Sequence, residues 1–277
     1  MEVEKIRLIL KVTLGVLITT AIVCAWRVYS INKEYSDSIA EYEQLNTMVK
    51  VEEKVEKDVP SKDETTDTVA APVEEKSEID ISFDMDYPAL KAINDELIGW
   101  ILYQPLEISY PVVLAHADDY YETHSFEKVK NRAGAISLDI ACKADLTSFN
   151  SIIYGHNMMN NSMFGRLKEI MEDYSIIERD PYVYIFTENE ALKYKLFAAY
   201  YTVTGTATYE VELTPTKEDI KNYIDYINEV ADYKDEEFFQ QEISDDIKIC
   251  TLSTCHGHRT NKRTVLHGVL VAREPRK

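Results

Sequence analysis

The sequence is poor in positive charge and in glycine. Its 277 residues include 30 lysines and arginines against 49 aspartates and glutamates, a formal net charge of −19. Nucleic acid is excluded as an expected partner, because binding it requires basic side chains that displace phosphate counterions. Eight glycines are too few for a collagen-like or flexible-linker protein. An apolar fraction of 45% with 19 tyrosines instead indicates a folded core.

Cysteine is also scarce. The four cysteines are Cys24, Cys142, Cys250 and Cys255. They are too few and too far apart for a disulfide scaffold or a CxxC zinc site, so each has to be judged separately. No metal or organic cofactor is expected.

One apolar segment near the N-terminus is long enough to cross a membrane. Leu8–Trp26 is apolar apart from Lys11 and the threonines, and about 20 such residues span a bilayer. No cleavage site follows it, so residues 1–29 are predicted to be a cytoplasmic tail and a retained anchor. Lys5, Arg7 and Lys11 lie on the amino side, which predicts a single-pass membrane protein whose domain after the membrane segment is extracellular.

An acidic stalk is expected to follow at residues 30–83. Between Ser30 and Asp80 the sequence has six lysines and fifteen acidic residues. Helical spacing continues to Leu45, and the stretch PSKDETTDTVAAP at residues 60–72 is then typical of a disordered tether.

From residue 84 onward the pattern changes to short β-rich runs, which predicts a mainly β domain, a barrel or a sandwich, at 84–277. The predicted strands are 100–103, 110–114, 135–138, 151–154, 182–186, 192–203, 247–254 and 264–271. Helices are predicted at Met163–Met171 and from Thr216, where Asp219 completes a capping-box-like start. This second helix lies in a connection of about 40 residues, and such long connections are usually functional.

Cys255 is the candidate nucleophile. It ends an apolar strand and precedes the densest basic cluster of the domain. That cluster consists of His256, His258, Arg259, Lys262 and Arg263. Cationic neighbours favour the thiolate, which is the reactive form of a cysteine. Cys250 lies five residues earlier, so it falls on the opposite face of the strand and is predicted to be a packing residue.

The pairing of the last two strands distinguishes two arginines. If Cys255 lies opposite Arg263, then Ser253 lies opposite Val265 and the apolar side chains stay on the inner face. Arg259 then falls at the tip of the loop. Arg263 is therefore preferred as the guanidinium that donates hydrogen bonds to a developing oxyanion.

Six histidines compete for the role of proton shuttle, and the residue pattern alone leaves that choice open. They are His116, His124, His156, His256, His258 and His267. His156 ends the apolar strand in FNSIIYGH, where barrels often present functional side chains. His267 lies within the last strand and is predicted to be a hydrogen-bonded core residue.

Two motifs, YGHNM at residues 154–158 and TLSTC at residues 251–255 with an arginine eight residues on, resemble those of sortases, the cysteine transpeptidases of Gram-positive cell surfaces. The runs NDELIGWI, SYPVVLA, DDYYETHSF, AGAISLD and MFGRLKEI are similar in order and spacing to class B sortases, and the resemblance covers residues 84–277. It implies an eight-stranded β-barrel with N-terminal helices and a helix in the long connection before the catalytic strand.

The resemblance also implies roles and partners. Cys255 would form a thioester with the sorting signal of a surface protein, His156 would transfer protons, and Arg263 would stabilise the oxyanion. Tyr154, Ser253 and Thr254 would line the substrate groove. The acceptor would be an amine of a peptidoglycan precursor or of a pilin. The long connection is expected to form a wall that keeps water from the thioester.

The residue pattern leaves two other interpretations of the protein's function open. One is an L,D-transpeptidase-like cell-wall enzyme, whose motif also combines serine, histidine, glycine and cysteine. The other is a non-catalytic anchored surface protein in which Cys255, His256 and His258 hold a metal, although one loop offers them poor tetrahedral geometry.

Overall fold

The computed structural model describes residues 2–53, 79–114, 117, 119–211, 214–255 and 261–276. The chain divides into two compact units, Met1–Glu43 and Gln44–Lys277.

The first unit consists of a single long helix, α1 (Glu2–Asn46), whose last three residues belong to the second unit. Its apolar side chains are exposed along most of the helix, as at Leu17, which is 62% exposed. The threonines of this segment donate their hydroxyl protons to carbonyls one turn earlier, so they add no unsatisfied donor. The helix is long and apolar enough to cross a membrane, in agreement with the predicted span.

A two-stranded sheet lies within the segment that the sequence assigned to the stalk. β1 (Val49–Glu53) pairs antiparallel with β2 (Ile81–Met85). β2 alternates buried and exposed side chains, and its Phe83 stacks on Phe186 with ring centroids 4.1 Å apart. The boundary predicted at residue 84 therefore falls inside β2. The PSKDETTDTVAAP stretch lies outside the described residues.

Nine strands form one sheet, and eight of them close into the barrel that the sequence resemblance implied. In chain order the strands are β3 (Leu97–Tyr103), β4 (Ile108–Leu114), β5 (Ile136–Leu138), β6 (Asn150–Tyr154), β7 (Tyr182–Phe186), β8 (Glu190–Val203), β9 (Tyr233–Lys234), β10 (Ile249–Cys255) and β11 (Lys262–Pro275). Their spatial order is β11-β10-β6-β5-β4-β3-β7-β8, and pairing of β8 with β11 closes the barrel. The two-residue β9 adds only an edge to β8.

The remaining helices are short apart from one. They are α2 (Tyr87–Ile93), α3 (Leu167–Glu172), α4 (Ser175–Arg179), α5 (Lys217–Val230) and α6 (Glu236–Gln240). The helix predicted at Met163–Met171 begins four residues later, because Met163 has a positive φ of 56° and pairs as a β-bridge with Asn157. A helix cannot include a residue in that conformation.

The helix α5 matches its sequence pattern closely. Thr216 and Asp219 form a reciprocal capping box, with the Asp219 amide donating to the Thr216 hydroxyl. One face of the helix is buried in the core, and its side chains are Ile220, Tyr223, Ile224 and Ile227. This face packs among barrel residues such as Phe197 and Ile249, so α5 completes the hydrophobic core on one side of the sheet.

Candidate active site

Two parallel strands bring the two halves of the predicted site together. β6 and β10 are adjacent, with Ser253 in register with Tyr154, and the amide of Gly155 donates to the Ser253 carbonyl at 3.2 Å. His156 follows Tyr154 by two residues, and Cys255 follows Ser253 by two. Since neighbouring strands lie about 4.8 Å apart, the backbones of His156 and Cys255 reach the same edge of the barrel side by side.

The hairpin of β10 and β11 has the predicted register. Cys255 is paired with Arg263, and Ser253 with Val265. Arg263 therefore lies one strand away from Cys255, on the side opposite to β6. The competing Arg259 lies outside the described residues, as do His256 and His258.

The imidazole of His156 is held by the backbone of a distant loop. Its Nε2 lies 2.7 Å from the carbonyl oxygen of Glu122, in the connection between β4 and β5. A carbonyl oxygen can only accept, so the proton of a neutral imidazole resides on Nε2 and the lone pair on Nδ1. This contact fixes the orientation of the ring.

A groove with a cavity volume of about 390 Å³ lies along this edge. All the predicted site residues whose side chains the structure describes line it, and these are Tyr154, His156, Ser253, Thr254 and Arg263. Its walls come from the β4–β5 connection, from β5 and β6, and from the long connection after β8. A groove of this size has room for several residues of an extended peptide.

Residues 105–271 match a sequence family described as the sortase domain. The chain belongs to the sortase family. It is 30% identical over 188 residues to sortase B of Listeria monocytogenes, covering 66% of this chain and 73% of that protein. It is 29% identical to sortase B of Staphylococcus aureus over 191 residues, 65% and 72% of the two chains.

Solved structures agree with these relatives. The crystal structure of sortase B from B. anthracis superposes with a TM-score of 0.66 at 25% identity, covering 87% of this chain and 99% of that one. The chain is accordingly a class B sortase, and sortases are cysteine transpeptidases that process surface proteins.

The groove of this sortase contains an aromatic wall that the sequence did not single out. The Tyr154 hydroxyl donates to Asp139 Oδ2 at 2.9 Å, and the Tyr154 and Tyr209 rings stack with centroids 6.3 Å apart. Tyr209 and Ser253 are in turn hydrogen-bonded through their hydroxyls at 2.9 Å. Burial, and then the charge of Asp139, raise the pKa of Tyr154, so its phenol stays a neutral donor.

Tyr209 comes from the long connection, but the helix of that connection does not line the groove. The wall residues contributed by this segment are Thr204, Gly205 and Tyr209, which precede α5. The helix α5 instead packs into the core behind them. A local signal for Asp139 was present, since it ends the strand in AISLD; no local signal distinguished Tyr209 among nineteen tyrosines.

Thr254 is a groove residue whose side chain is almost completely buried. It is 2% exposed, and its hydroxyl has no hydrogen-bond partner among the residues that the structure describes. The hydroxyl of Thr264, directly opposite on β11, also has no partner there. Consecutive side chains of a strand point to opposite faces, so the Thr254 hydroxyl lies on the face opposite the Ser253 hydroxyl that bonds Tyr209.

The groove has more acidic than basic side chains. Asp119, Glu122 and Asp139 line it together with Arg263 and His156 within the described part of the chain. Within the same part no group of three His, Cys, Asp or Glu side chains is arranged to hold a metal.

Behind the groove, a buried polar network connects β10 to the long connection. Thr251 Oγ1 donates to Asn150 Oδ1 at 2.6 Å and lies 2.8 Å from His267 Nδ1. His267 Nε2 contacts the Tyr200 hydroxyl at 2.9 Å. His267 is fully buried, as the sequence predicted, and burial lowers its pKa to about 3. The Tyr200 hydroxyl lies 2.9 Å from Thr208 Oγ1. The network therefore connects β10 of this sortase to the segment before α5.

Proposed function

We propose that Cys255 is the nucleophile of this sortase, His156 its proton shuttle and Arg263 its oxyanion-stabilising residue. The Cys255 thiolate attacks the scissile carbonyl of a sorting signal, and the resulting oxyanion is stabilised by the guanidinium of Arg263. His156, which carries the proton lost by the Cys255 thiol, gives it to the departing amine as the thioester forms. It then takes a proton from the incoming amine, which attacks the thioester and releases the sulfur.

The observation that carries this proposal is the strand register. Cys255 ends β10, His156 lies two residues after the end of the adjacent parallel strand β6, and Arg263 is paired with Cys255 across the hairpin. His156, which lies about 100 positions before the other two residues, thus shares one edge of the barrel with them. Proximity and orientation of this kind supply much of the rate enhancement in acyl transfer.

Two other cysteines support the choice of Cys255 by contrast. Cys142 and Cys250 are buried, and burial raises the pKa of the Cys142 thiol to about 11 and that of Cys250 still further. Both therefore stay protonated and unreactive at neutral pH.

Substrate contacts are proposed for Tyr154, Ser253 and Thr254, which line the groove. The donor is the sorting-signal peptide of a surface protein, and the acceptor is an amine of a peptidoglycan precursor or a pilin. The proposal includes α1 as a single-pass anchor, with Lys5 and Arg7 on the cytoplasmic side and the barrel outside. Confinement of enzyme and precursors to one membrane raises their effective concentration.

The test uses the full-length chain in detergent with a library of fluorogenic sorting-signal peptides, and mass spectrometry of the trapped thioester. Cys255→Ala should form no acyl-enzyme, whereas the matched control Cys250→Ala, on the same strand, should keep it. His156→Ala should lower the acylation rate by about 10² to 10⁴-fold. Arg263→Lys should lower it by about 10²-fold, because a point charge does not replace a planar fork. An acyl-enzyme on Cys255→Ala would refute the proposal.

A further inference from the structure

The backbone turn that holds the His156 imidazole is itself held by a buried side chain. A single 3₁₀ turn (Tyr120–Glu122) lies in the connection between β4 and β5, and its last carbonyl accepts from His156 Nε2 at 2.7 Å. A shift of the turn by about 1 Å would lengthen this contact beyond a hydrogen bond. The carbonyl therefore orients the imidazole only as well as its own peptide is held. The side chain at the centre of the turn is Tyr121, which is 2% exposed.

Two polar side chains bind the Tyr121 hydroxyl. It donates to Glu96 Oε2 at 2.6 Å and accepts from Asn94 Nδ2 at 2.7 Å. Asn94 Nδ2 also donates to the carbonyl of Phe126, which follows the turn in the same connection. A hydrogen bond from a phenol to a carboxylate is charge-assisted and stronger than one between neutral groups. Both partners directly precede β3, so the turn is tied through Tyr121 to the start of a barrel strand.

The backbone at Gly134 supports the turn from another direction. The Ala135 amide donates to the Tyr121 carbonyl at 2.9 Å. Gly134 has a φ of 60°, and a Cβ at this position would overlap the Tyr121 carbonyl oxygen and lie 3.0 Å from His156 Cδ2. Only a glycine allows the backbone to approach so closely. The turn, Gly134 and the imidazole are thus in direct contact, and a displacement of the turn is transmitted to the ring.

The Tyr121 side chain has no direct part in proton transfer or in binding a groove occupant. Burial, and then the hydrogen bond to Glu96, raise the pKa of Tyr121, so the phenol stays neutral near neutral pH. Its hydroxyl is engaged by two protein groups, and the residue is almost completely inaccessible. Any effect of this hydroxyl on His156 has to pass through the Glu122 carbonyl.

We propose that Tyr121 is a positioning residue for the reaction, whose hydroxyl, bound by Glu96 and Asn94, fixes the Glu122 carbonyl that orients the His156 imidazole. This inference rests on the proposed role of His156 as the proton shuttle. A misplacement of a catalytic group by about 1 Å can cost about 10²-fold in rate. The peptide still binds in that case, so the loss falls on the maximal rate and not on the half-saturating concentration.

Tyr121→Phe is the decisive variant, because it removes the hydroxyl and keeps the ring. Single-turnover acylation of the full-length chain in detergent is followed by mass spectrometry. The probe is the fluorogenic sorting-signal peptide that acylates the wild type fastest, and its concentration is varied. The maximal acylation rate should fall at least about tenfold, while the half-saturating concentration stays within about twofold.

The matched control is Tyr184→Phe. Tyr184 is 3% exposed, and its hydroxyl also donates to a carboxylate oxygen at 2.6 Å, that of Asp80. It lies on β7, which contributes no residue to the groove within the described part of the chain. Tyr184→Phe therefore loses an equivalent bond elsewhere in the barrel, and both kinetic parameters should stay within about twofold of the wild type.

A second pair of variants tests the same bond from the carboxylate. Glu96→Ala removes the acceptor and leaves Tyr121 unchanged, so the maximal rate should again fall, by at least about threefold. Glu96→Gln retains an acceptor oxygen for the phenol and should keep the rate within about twofold of the wild type. This pair tests the inference even if Tyr121→Phe does not fold.

The imidazole itself provides a readout that does not depend on activity. In ¹⁵N-labelled protein, the Nε2 proton signal of His156 is assigned by its absence from His156→Gln. This signal should be present in the wild type and in Tyr184→Phe. It should be lost or strongly broadened in Tyr121→Phe and in Glu96→Ala, because a proton released from the carbonyl exchanges with water.

The outcomes separate the two proposals. A wild-type maximal rate in Tyr121→Phe, an equal loss in Tyr184→Phe, or an unchanged imidazole signal in Tyr121→Phe overturns the positioning inference, while acylation of Cys255 still supports the proposed function. A maximal rate in Glu96→Gln as low as in Glu96→Ala also overturns it. A wild-type acylation rate in His156→Ala contradicts the proposed function and the inference with it.

Discussion

Replacing His267 with glutamine should change how the stability of this sortase depends on pH. His267 is fully buried and its pKa is lowered from 6.5 to about 3 by loss of solvation. Thr251 gives its proton to Asn150, so it accepts from His267 Nδ1, and Nε2 then accepts from Tyr200. The folded protein thus holds a neutral imidazole with both nitrogens bonded. A glutamine amide offers one donor and one acceptor without titrating.

The sign follows from proton binding. Below pH 6.5 the unfolded chain takes up a proton at His267 and the folded chain does not, so the free energy of unfolding falls as the pH falls. The loss continues down to the folded pKa of about 3. Between pH 7 and pH 5 it amounts to about 2 kcal/mol, from a limiting slope of about 1.4 kcal/mol per pH unit.

The assay is urea unfolding of the full chain in detergent at pH 7, 6 and 5, for the wild type and for His267→Gln. Other titrating groups are shared by both proteins, so their contributions cancel in the difference. The wild type should lose about 2 kcal/mol more than the variant on going from pH 7 to pH 5. Parallel pH profiles would show that His267 is protonated in the folded state, and would refute the reasoning from burial.

Two further substitutions test the packing around the site. Thr251→Val removes a hydroxyl and leaves the Asn150 side-chain oxygen and the N–H of the His267 imidazole without partners. The free energy of unfolding, measured by urea denaturation, should therefore fall by about 3 kcal/mol. The control Thr47→Val loses only an exposed hydrogen bond and should change it by less than about 0.5 kcal/mol. Gly155→Ala places a Cβ 2.7 Å from the Phe164 ring, so the free energy of unfolding should fall by about 1 to 3 kcal/mol in the same experiment. Displacement of the end of β6 should also lower kcat/KM more than tenfold. A variant with wild-type activity would contradict this account.

Local sequence signals predicted the parts of the fold that local interactions determine. The capping box at Thr216 and the helical spacing after it gave α5 with its buried face. The alternation of apolar residues gave the register of the last hairpin, with Cys255 opposite Arg263. In both cases the residues that decide the structure are close in sequence, so their pattern is sufficient.

Structure that depends on distant pairing was not predicted. β1 lies in an acidic stretch whose composition is typical of a disordered tether. It forms a strand because β2, more than 25 residues later in the sequence, pairs with it and contributes the buried Phe83. Similarly, nothing near YGHNM indicates that β6 pairs in parallel with β10. The wall residue Tyr209 was missed for the same reason, since its position follows from contacts with Tyr154 and Ser253.

The directions of the strands explain the long connection. β8 and β10 both pair antiparallel with β11, so they run in the same direction and cannot be joined by a tight turn. The connection between them contains α5, and the segment before α5 contributes to the groove at the ends of β6 and β10. Tyr209 and Thr208 belong to that segment, one in the groove wall and the other in the buried polar network. The strand directions that close the barrel therefore also require the segment that forms one side of the groove.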